Sequence, residues 1–415
     1  MAGNRDVVTM PWFESLGPRM SDGNEVLLLE SGAEYFPALG AAIDEAAEAI
    51  FLETYIFADD ASGRAIAERL AAAAARGVRV HLMVDGYGTP QLRGEVPRLL
   101  HGAGIAVETF RPERGRFLPD RQRLRRMHRK MAVIDGATLF VGGINLLDDY
   151  DDPNHGRQQF ARLDYAVRVR GPIVAAAHLA AQRLWWETST VNRSLRKVRP
   201  NAGDASAPLQ LPEAVRSDVT RAGKMRAMFV LRDNFRFRRR IERWYLRAIA
   251  RAHREILIAN AYFIPGVRFR RALVLAVARG VRVRILVQGR VEYRLQHYAS
   301  QALYDELLRA GVEIVEYRKS FLHAKAAVID DEATVGSSNI DPFSLLLARE
   351  ANVVVRNAAF AADLRARLDA ASQDGGVPVE LVHHRRRAWP IRILNWFAFA
   401  ILRIGVSLSG VSGRY

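Results

Sequence analysis

The sequence has no cysteine, which excludes disulfides, thiolate catalysis and Cys-ligated zinc or iron–sulfur centres. No run of ~20 uninterrupted apolar residues, the length a bilayer span needs, occurs anywhere. The N-terminal MAGNRDVVTMPWFESLG has no basic segment followed by an apolar one, so no secretory leader is read there. Acidic residues are in deficit: 45 Asp and Glu against 61 Lys and Arg leave a formal charge of +16. That excess points to anionic partners, whether nucleic acid, a lipid surface or a phosphorylated substrate, without choosing among them. Low-complexity tracts are lacking as well. With 49% of its 415 residues apolar, the chain is long enough for two domains, each burying its own core.

What is present is one unit written twice. Ala75-Arg-Gly-Val-Arg-Val-His-Leu-Met-Val-Asp-Gly86 answers Ala278-Arg-Gly-Val-Arg-Val-Arg-Ile-Leu-Val-Gln-Gly289, each reading as a helix end, a glycine cap and a buried strand. Upstream, the strand-length run Ile50–Phe57 is set against Leu257–Ile264, and helical spacing runs through Phe36, Leu39, Ile43, Ala47 and Ile50 and through Ile241, Tyr245 and Ile249. A repeat at half the chain length is too long for a solenoid and fits a duplicated domain. Alternating strands and helices predict an α/β fold, two layered halves about a pseudo-two-fold axis. The polar, Pro-bearing stretch from about Asn192 to Lys224 reads as the connector. The expected division is 1–200, 201–384 and a tail, 385–415.

Each half then delivers the same chemistry. The first runs His128-Arg-Lys130-Met-Ala-Val-Ile-Asp135, followed by Gly142-Gly-Ile-Asn145; the second runs His323-Ala-Lys325-Ala-Ala-Val-Ile-Asp330, followed by Gly336-Ser-Ser-Asn339. Residues two apart on a strand share a face, so imidazole and ammonium point at one spot. The pairing suits a phosphodiester: lysine offers charge to the non-bridging oxygens, and histidine attacks or carries protons. One His-x-Lys is a coincidence of surface; two at matched places are not. Each histidine also needs a carboxylate on its second nitrogen, for which Asp164 and Glu350 are the candidates. Asp135 and Asp330, closing the apolar strands, are motif members expected to tie down the adjacent turn.

These motifs resemble those of the phospholipase D superfamily over nearly the whole chain. The resemblance implies a duplicated α/β/α sandwich with both motifs meeting between the halves, a ping-pong reaction through a phosphohistidine, no metal and no cofactor. His-Arg-Lys with Gly-Gly-Ile-Asn, Leu163–Pro172, and Gly-Ser-Ser-Asn-Ile-Asp-Pro-Phe-Ser344 look most like bacterial cardiolipin synthases of the short type that lack N-terminal membrane helices. Carried over, His128 is the nucleophile and His323 the acid and base, an assignment the near-symmetry leaves reversible. Lys130, Lys325, Asn145 and Asn339 would hold the phosphoryl oxygens. The implied substrate is phosphatidylglycerol, with a hydrolase or nuclease of the same superfamily as the alternative and a catalytically dead membrane scaffold ranked last.

Several surrounding features bear on partners. Eight arginines fall between Arg111 and Arg129 and read as a basic rim beside the site rather than a solvated loop. A second basic cluster, Arg236 to Arg247, is interleaved with Phe235, Phe237, Trp244 and Tyr245, fitting single-stranded nucleic acid, a membrane interface or a helix packed on one side. The acidic run Asp148–Asp152 lacks calcium-loop spacing and reads as a solvated connector. The tail Arg385–Ile404 is read as too short and too Arg-punctuated to span a bilayer, yet too greasy for a solvated end. It is expected to hold the protein peripherally on the cytoplasmic face of the cell membrane. Nucleic acid is disfavoured as a partner.

Overall fold

In the computed structural model, residues 17–112, 125–197, 220–234 and 237–408 are described. The first half runs β1 (Ser21–Glu30), α1 (Ser31–Glu45), β2 (Ala49–Thr54), α2 (Ala61–Ala75), β3 (Arg79–Asp85), α3 (Glu95–Gly102), β4 (Ala106–Phe110), β5 (Lys130–Ile134), β6 (Thr138–Gly142), the small hairpin β7 (Asp151–Asp152) and β8 (Gly156–Arg157), β9 (Tyr165–Arg170) and α4 (Val174–Lys197). The second runs β10 (Met225–Arg232), α5 (Arg240–Arg251), β11 (Glu255–Asn260), α6 (Val267–Ala278), β12 (Arg282–Gln288), α7 (Arg294–Gln301), α8 (Tyr304–Arg309), β13 (Glu313–Tyr317), β14 (Lys325–Ile329), β15 (Glu332–Gly336), α9 (Pro342–Leu346), β16 (Glu350–Arg356) and α10 (Ala358–Gly375). β17 (Gly376–Pro378), α11 (Leu381–Arg385) and α12 (Trp389–Leu408) follow.

The repeated segments fold alike because their local signals are alike. Gly77 and Gly280, at φ +93° and +86°, end α2 and α6 in the left-handed region that favours glycine, and the chain turns directly into β3 and β12. Each half then lays parallel strands β2-β3-β4 or β11-β12-β13 beside antiparallel ones. The whole sheet reads β17-β13-β12-β11-β14-β15-β16-β10-β1-β9-β6-β5-β2-β3-β4. It is symmetric about the antiparallel β1–β10 contact, apart from the edge strand β17.

Every residue of β5, β6 and β14 is buried, as a strand covered on both faces must be. One face packs on Leu39, Ile43, Ile66 and Leu70 of α1 and α2, and its counterpart on Ile241, Tyr245, Ile249 and Leu273 of α5 and α6. The other face is a core common to both halves, where Val133, Val141 and Ala177 join Phe229, Val328 and Leu364. This is the duplicated α/β/α arrangement expected.

Three local expectations are corrected. The strand registers set Ile50 opposite Ile134 and Ile256 opposite Ile329, so Ile50 corresponds to Ile256, one residue off the pairing with Leu257. Both strands are buried on both faces and mostly apolar, so no alternation betrays the slip. Helix α1 ends at Glu45, leaving Ala47 exposed and Ile50 in β2. Helix α4 continues through Asn192 to Lys197, into the stretch read as connector; residues 198–219 lie outside the described ones.

Candidate active site

The segments that lead into β5 and β14 lie at the junction of the halves, where parallel bridges Met127–Arg349 and Leu163–Leu322 tie each to the opposite half. The backbone N–H of His128 donates to the Arg349 carbonyl at 2.9 Å, and that of His323 to the Leu163 carbonyl at 2.8 Å. Each histidine segment is thus held by the opposite half. The side chains repeat the exchange: His128 Nδ1 lies 3.0 Å from Glu350 Oε1, and His323 Nδ1 lies 2.6 Å from Asp164 Oδ2. Both acids are buried. A carboxylate on Nδ1 holds the proton there and leaves Nε2 for the substrate.

The two pairs differ in their supports. Glu350 also accepts from the Ser337 hydroxyl, whereas Asp164 accepts from the Tyr165 N–H at 2.8 Å and closes on Gly143, where a Cβ would stand 2.2 Å from its Oδ1. Burial works to raise Glu350, but His128, Lys130 and Ser337 together hold its carboxyl below the ordinary value. Burial pushes Asp164 up to about 7. Burial and the Lys130 ammonium lower His128 against the pull of Glu350. His323 is held well below its ordinary value by burial, Lys325, Lys130, Arg162 and His128.

Lys130 and Lys325 are buried beneath the histidines. Lys130 Nζ donates to the His128 carbonyl at 2.9 Å and lies over the Tyr55 ring; Lys325 Nζ donates to the His323 carbonyl. Burial lowers them to about 7 and about 8. Asn145 and Asn339 border the cleft with the histidines. Asn145 accepts from the Ile56 N–H at 3.1 Å, while Oδ1 of Asn339 has no hydrogen-bond partner among the described residues.

Asp135 and Asp330 stand at the far ends of their strands and do not border the cleft. Asp135 accepts from the N–H groups of Ala47, Glu48 and Ala49 at 2.8–2.9 Å; Asp330 accepts from those of His253, Arg254 and Glu255 at 2.9–3.0 Å. Both have left-handed backbone, φ +52° and +51°, a conformation aspartate tolerates better than most residues. Partial burial opposes ionisation of Asp330, but three backbone N–H groups hold its carboxyl below the usual range. Its contribution to stability is therefore present above the unfolded pKa and is lost as pH falls through the folded one. Asp330→Ala is expected to cost about 2 kcal/mol, read as a lower urea midpoint with unchanged slope. An unaltered midpoint would remove this role.

The histidines open on a cleft of about 1290 Å³ between the halves. Tyr55, Tyr87, Tyr262, Tyr293 and Phe343 supply aromatic wall, and Arg126 and Arg162 supply charge. Arg126 stacks on Tyr87, and Arg162 pairs with Asp152 at 3.0 Å. Arg162 and the tyrosines escaped the sequence reading, although Tyr55 and Tyr262, near the ends of the two strand-length runs, were a signal. The acidic run is corrected from a solvated connector: Asp149 and Asp152 border the cleft, and Asp152 also pairs with His155 at 2.8 Å. Of the basic rim, Arg126 reaches the cleft, Arg129 is buried against Glu53, and residues 113–124 lie outside the described ones. Trp244, Tyr245 and Phe237 are buried, so α5 is a helix packed on one side and offers no stacking platform; Phe235 and Arg236 lie outside the described residues.

Comparison with known proteins agrees with this geometry. A family described as cardiolipin synthase, PLD-like domain, matches residues 39–155 and 245–371, one copy around each histidine. The chain is 37% identical to cardiolipin synthase B of Escherichia coli K12 over 94% of its own length and 90% of that protein, and 38% identical to cardiolipin synthase B of Salmonella typhi over the same shares. The crystal structure of phosphatidylserine synthase from Haemophilus influenzae superposes with a TM-score of 0.66, covering 95% of this chain and 97% of that one at 12% identity, a likeness of fold. The chain belongs to the phospholipase D-like family of cardiolipin synthases.

Proposed function

We propose that this protein is a phosphatidyltransferase that makes cardiolipin from two molecules of phosphatidylglycerol. The observation that carries this reading is the pair of histidines facing one cleft, each backed by the other half's carboxylate, in a chain alike over most of its length to cardiolipin synthases. Nε2 of His128 attacks phosphorus, and His323 gives its proton to the departing glycerol oxygen as the P–O bond breaks. The phosphatidyl group is left on His128. The hydroxyl of a second headgroup then loses its proton to His323 and attacks phosphorus, the P–N bond breaks, and cardiolipin leaves. An ionised Glu350 favours the positive ring that phosphorylation creates, which supports His128 as the attacker. Lys130, Lys325, Asn145 and Asn339 would steady the phosphoryl oxygens.

The test is to incubate purified protein with labelled phosphatidylglycerol in mixed micelles with chelator. Cardiolipin and glycerol are expected in equal amounts; phosphatidic acid alone would make the protein a hydrolase.

Of the cations that depress His323, led after burial by Lys325 and Lys130, Arg162 borders the cleft and the two lysines lie beneath the histidines, so a phosphodiester anion bound at the histidines would lie close to them. Bound substrate therefore offsets them and raises His323 toward its ordinary value, so that it arrives protonated as the acid. The alkaline limb of kcat is expected at higher pH than that of kcat/KM, because the first reports the complex and the second the free enzyme. Coincident limbs would contradict this coupling.

Attachment to an anionic lipid surface is assigned to α12. It buries a stripe of Asn395, Ala398, Leu402 and Val406 against Ala299, Leu303, Leu346 and Leu347, and exposes Trp389, Ile393, Trp396, Phe397 and Ile404. Its 20 residues correct the expectation of a segment too short to span: by length and composition alone the helix is apolar enough to cross a membrane. The docked stripe favours a helix lying in the interface, with Arg385, Arg386 and Arg392 toward the headgroups. Gly405 borders the cleft, so the helix would bring lipid to its mouth. Replacing Trp396, Phe397 and Ile404 together by serine leaves the docked stripe intact. It is expected to weaken binding to phosphatidylglycerol vesicles at least about tenfold, given ~1.5–3 kcal/mol per buried side chain. Unchanged sedimentation would sink this assignment.

A further inference from the structure

The pseudo-two-fold axis requires that what lies behind one histidine lie behind the other, and it does not. A second cavity, about 310 Å³, stands beside the His128–Glu350 pair, lined by Arg129, Arg183, Arg232 and Arg349 together with Glu187 and Asp233. Arg129 follows His128, Arg349 precedes Glu350, and Arg232 faces Glu350 across the β10–β16 ladder. Three of its four guanidiniums are one residue or one rung from the reacting pair. At the matched positions of the other half stand Ala324 for Arg129, Leu163 for Arg349 and Ser31 for Arg232, and Ala259 takes the place of the Glu53 that pairs with Arg129. Ala259, Ala324 and Leu163 pack in the apolar core. Symmetry alone would have left this place closed and greasy.

The charges are matched only in part: Arg183 Nε donates to Glu187 at 3.3 Å, and Nε of Arg232 donates to the Arg238 carbonyl at 3.4 Å. Arg129 is spoken for by Glu53, with Nε 2.8 Å from Oε2, and Arg349 Nη2 donates to Glu187 at 3.1 Å. Arg232 is fully buried, its Nη1 donates to Asn234 at 3.0 Å, and its Nη2 has no hydrogen-bond partner among the described residues; nor has Nε of Arg349. Burial lowers Arg232 to about 9 against the pull of Glu350 and Asp233, with Arg238 and Arg349 adding to the depression. A buried charge of this kind is costly unless something anionic answers it.

We propose that this cavity is a binding site for a phosphate group, held by Arg232 and Arg349 with Arg129 and Arg183 around it. Guanidinium forks match phosphate oxygens in both geometry and charge. The volume takes a phosphate or a glycerol phosphate and leaves no room for acyl chains. Entry lies past Arg183 and Glu187, whose side chains are 27% and 36% exposed. The ligand is thus inorganic phosphate or a lipid headgroup inserted from the edge, and it sits apart from the cleft, whichever acceptor the enzyme uses.

The experiment is thermal unfolding of the full chain at constant ionic strength, titrated first with inorganic phosphate and then with detergent micelles carrying phosphatidic acid. Wild type is expected to gain Tm with at least one of them: with free phosphate if the source is soluble, with the micelles alone if it is a headgroup. Lys325→Met, altered beneath the histidines of the cleft, is expected to keep that gain. Arg232→Met and, at a less buried position, Arg349→Gln are expected to lose it, with phosphate or headgroup affinity at least tenfold weaker by calorimetry. No gain in wild type with either probe overturns the proposal. So does a gain that survives in Arg349→Gln and in any folded Arg232→Met, or that disappears in Lys325→Met.

Discussion

Replacing His128 by asparagine is expected to lower transfer on the order of 10⁴-fold, the size of loss seen when one member of a concerted catalytic group is removed. His323→Asn is expected to be as poor with phosphatidylglycerol. The two separate when the leaving group no longer needs a proton. With phosphatidyl-p-nitrophenol the first half-reaction asks only for a nucleophile, so His323→Asn should still release a burst of nitrophenol and accumulate an acid-labile phosphatidyl-enzyme. His128→Asn should give neither. A burst from His128→Asn would reverse the two roles, and a burst from both would end the single-nucleophile mechanism.

The second large effect tests the crossing of the halves. Glu350→Gln and Asp164→Asn are each expected to cost on the order of 10³–10⁴-fold in kcat, because an amide cannot hold the imidazole in the same tautomer or balance its charge. Glu350 lies 222 residues from His128, and Asp164 lies 159 from His323. If each acid serves the histidine it touches, the activated substrate sorts them by contact. Asp164→Asn should keep the burst, as His323→Asn does, and Glu350→Gln should lose it, as His128→Asn does. The opposite sorting would mean that each acid acts within its own half, against the 3.0 Å and 2.6 Å contacts.

These acids illustrate how far a sequence can be read. That Asp164 and Glu350 were candidates followed from their matched positions after each motif. Which histidine each one meets did not follow, because a partner more than 150 residues away is chosen by how two sheets abut. The one-residue slip between Ile50 and Leu257 has a related cause: a strand buried on both faces shows no apolar–polar alternation to set its phase, and only the ladder to β5 or β14 supplies one. Arginines are the hardest to read. Arg129 in a fully buried ion pair and Arg126 in the cleft wall stand three apart in a single basic run.

By itself the sequence determined the duplication, the alternation of strand and helix, the two His-x-Lys strands and the greasy basic tail. Each is a local pattern, set by the period of the backbone and by glycines that only one conformation suits. The tertiary structure decided the crossed carboxylates, the tyrosine and Arg162 walls of the cleft, the burial of the Trp244 cluster and the stripe of α12 left facing outward. These depend on which surfaces meet when two similar halves pack about an axis. Packing is a property of pairs of segments, and neither segment encodes it alone.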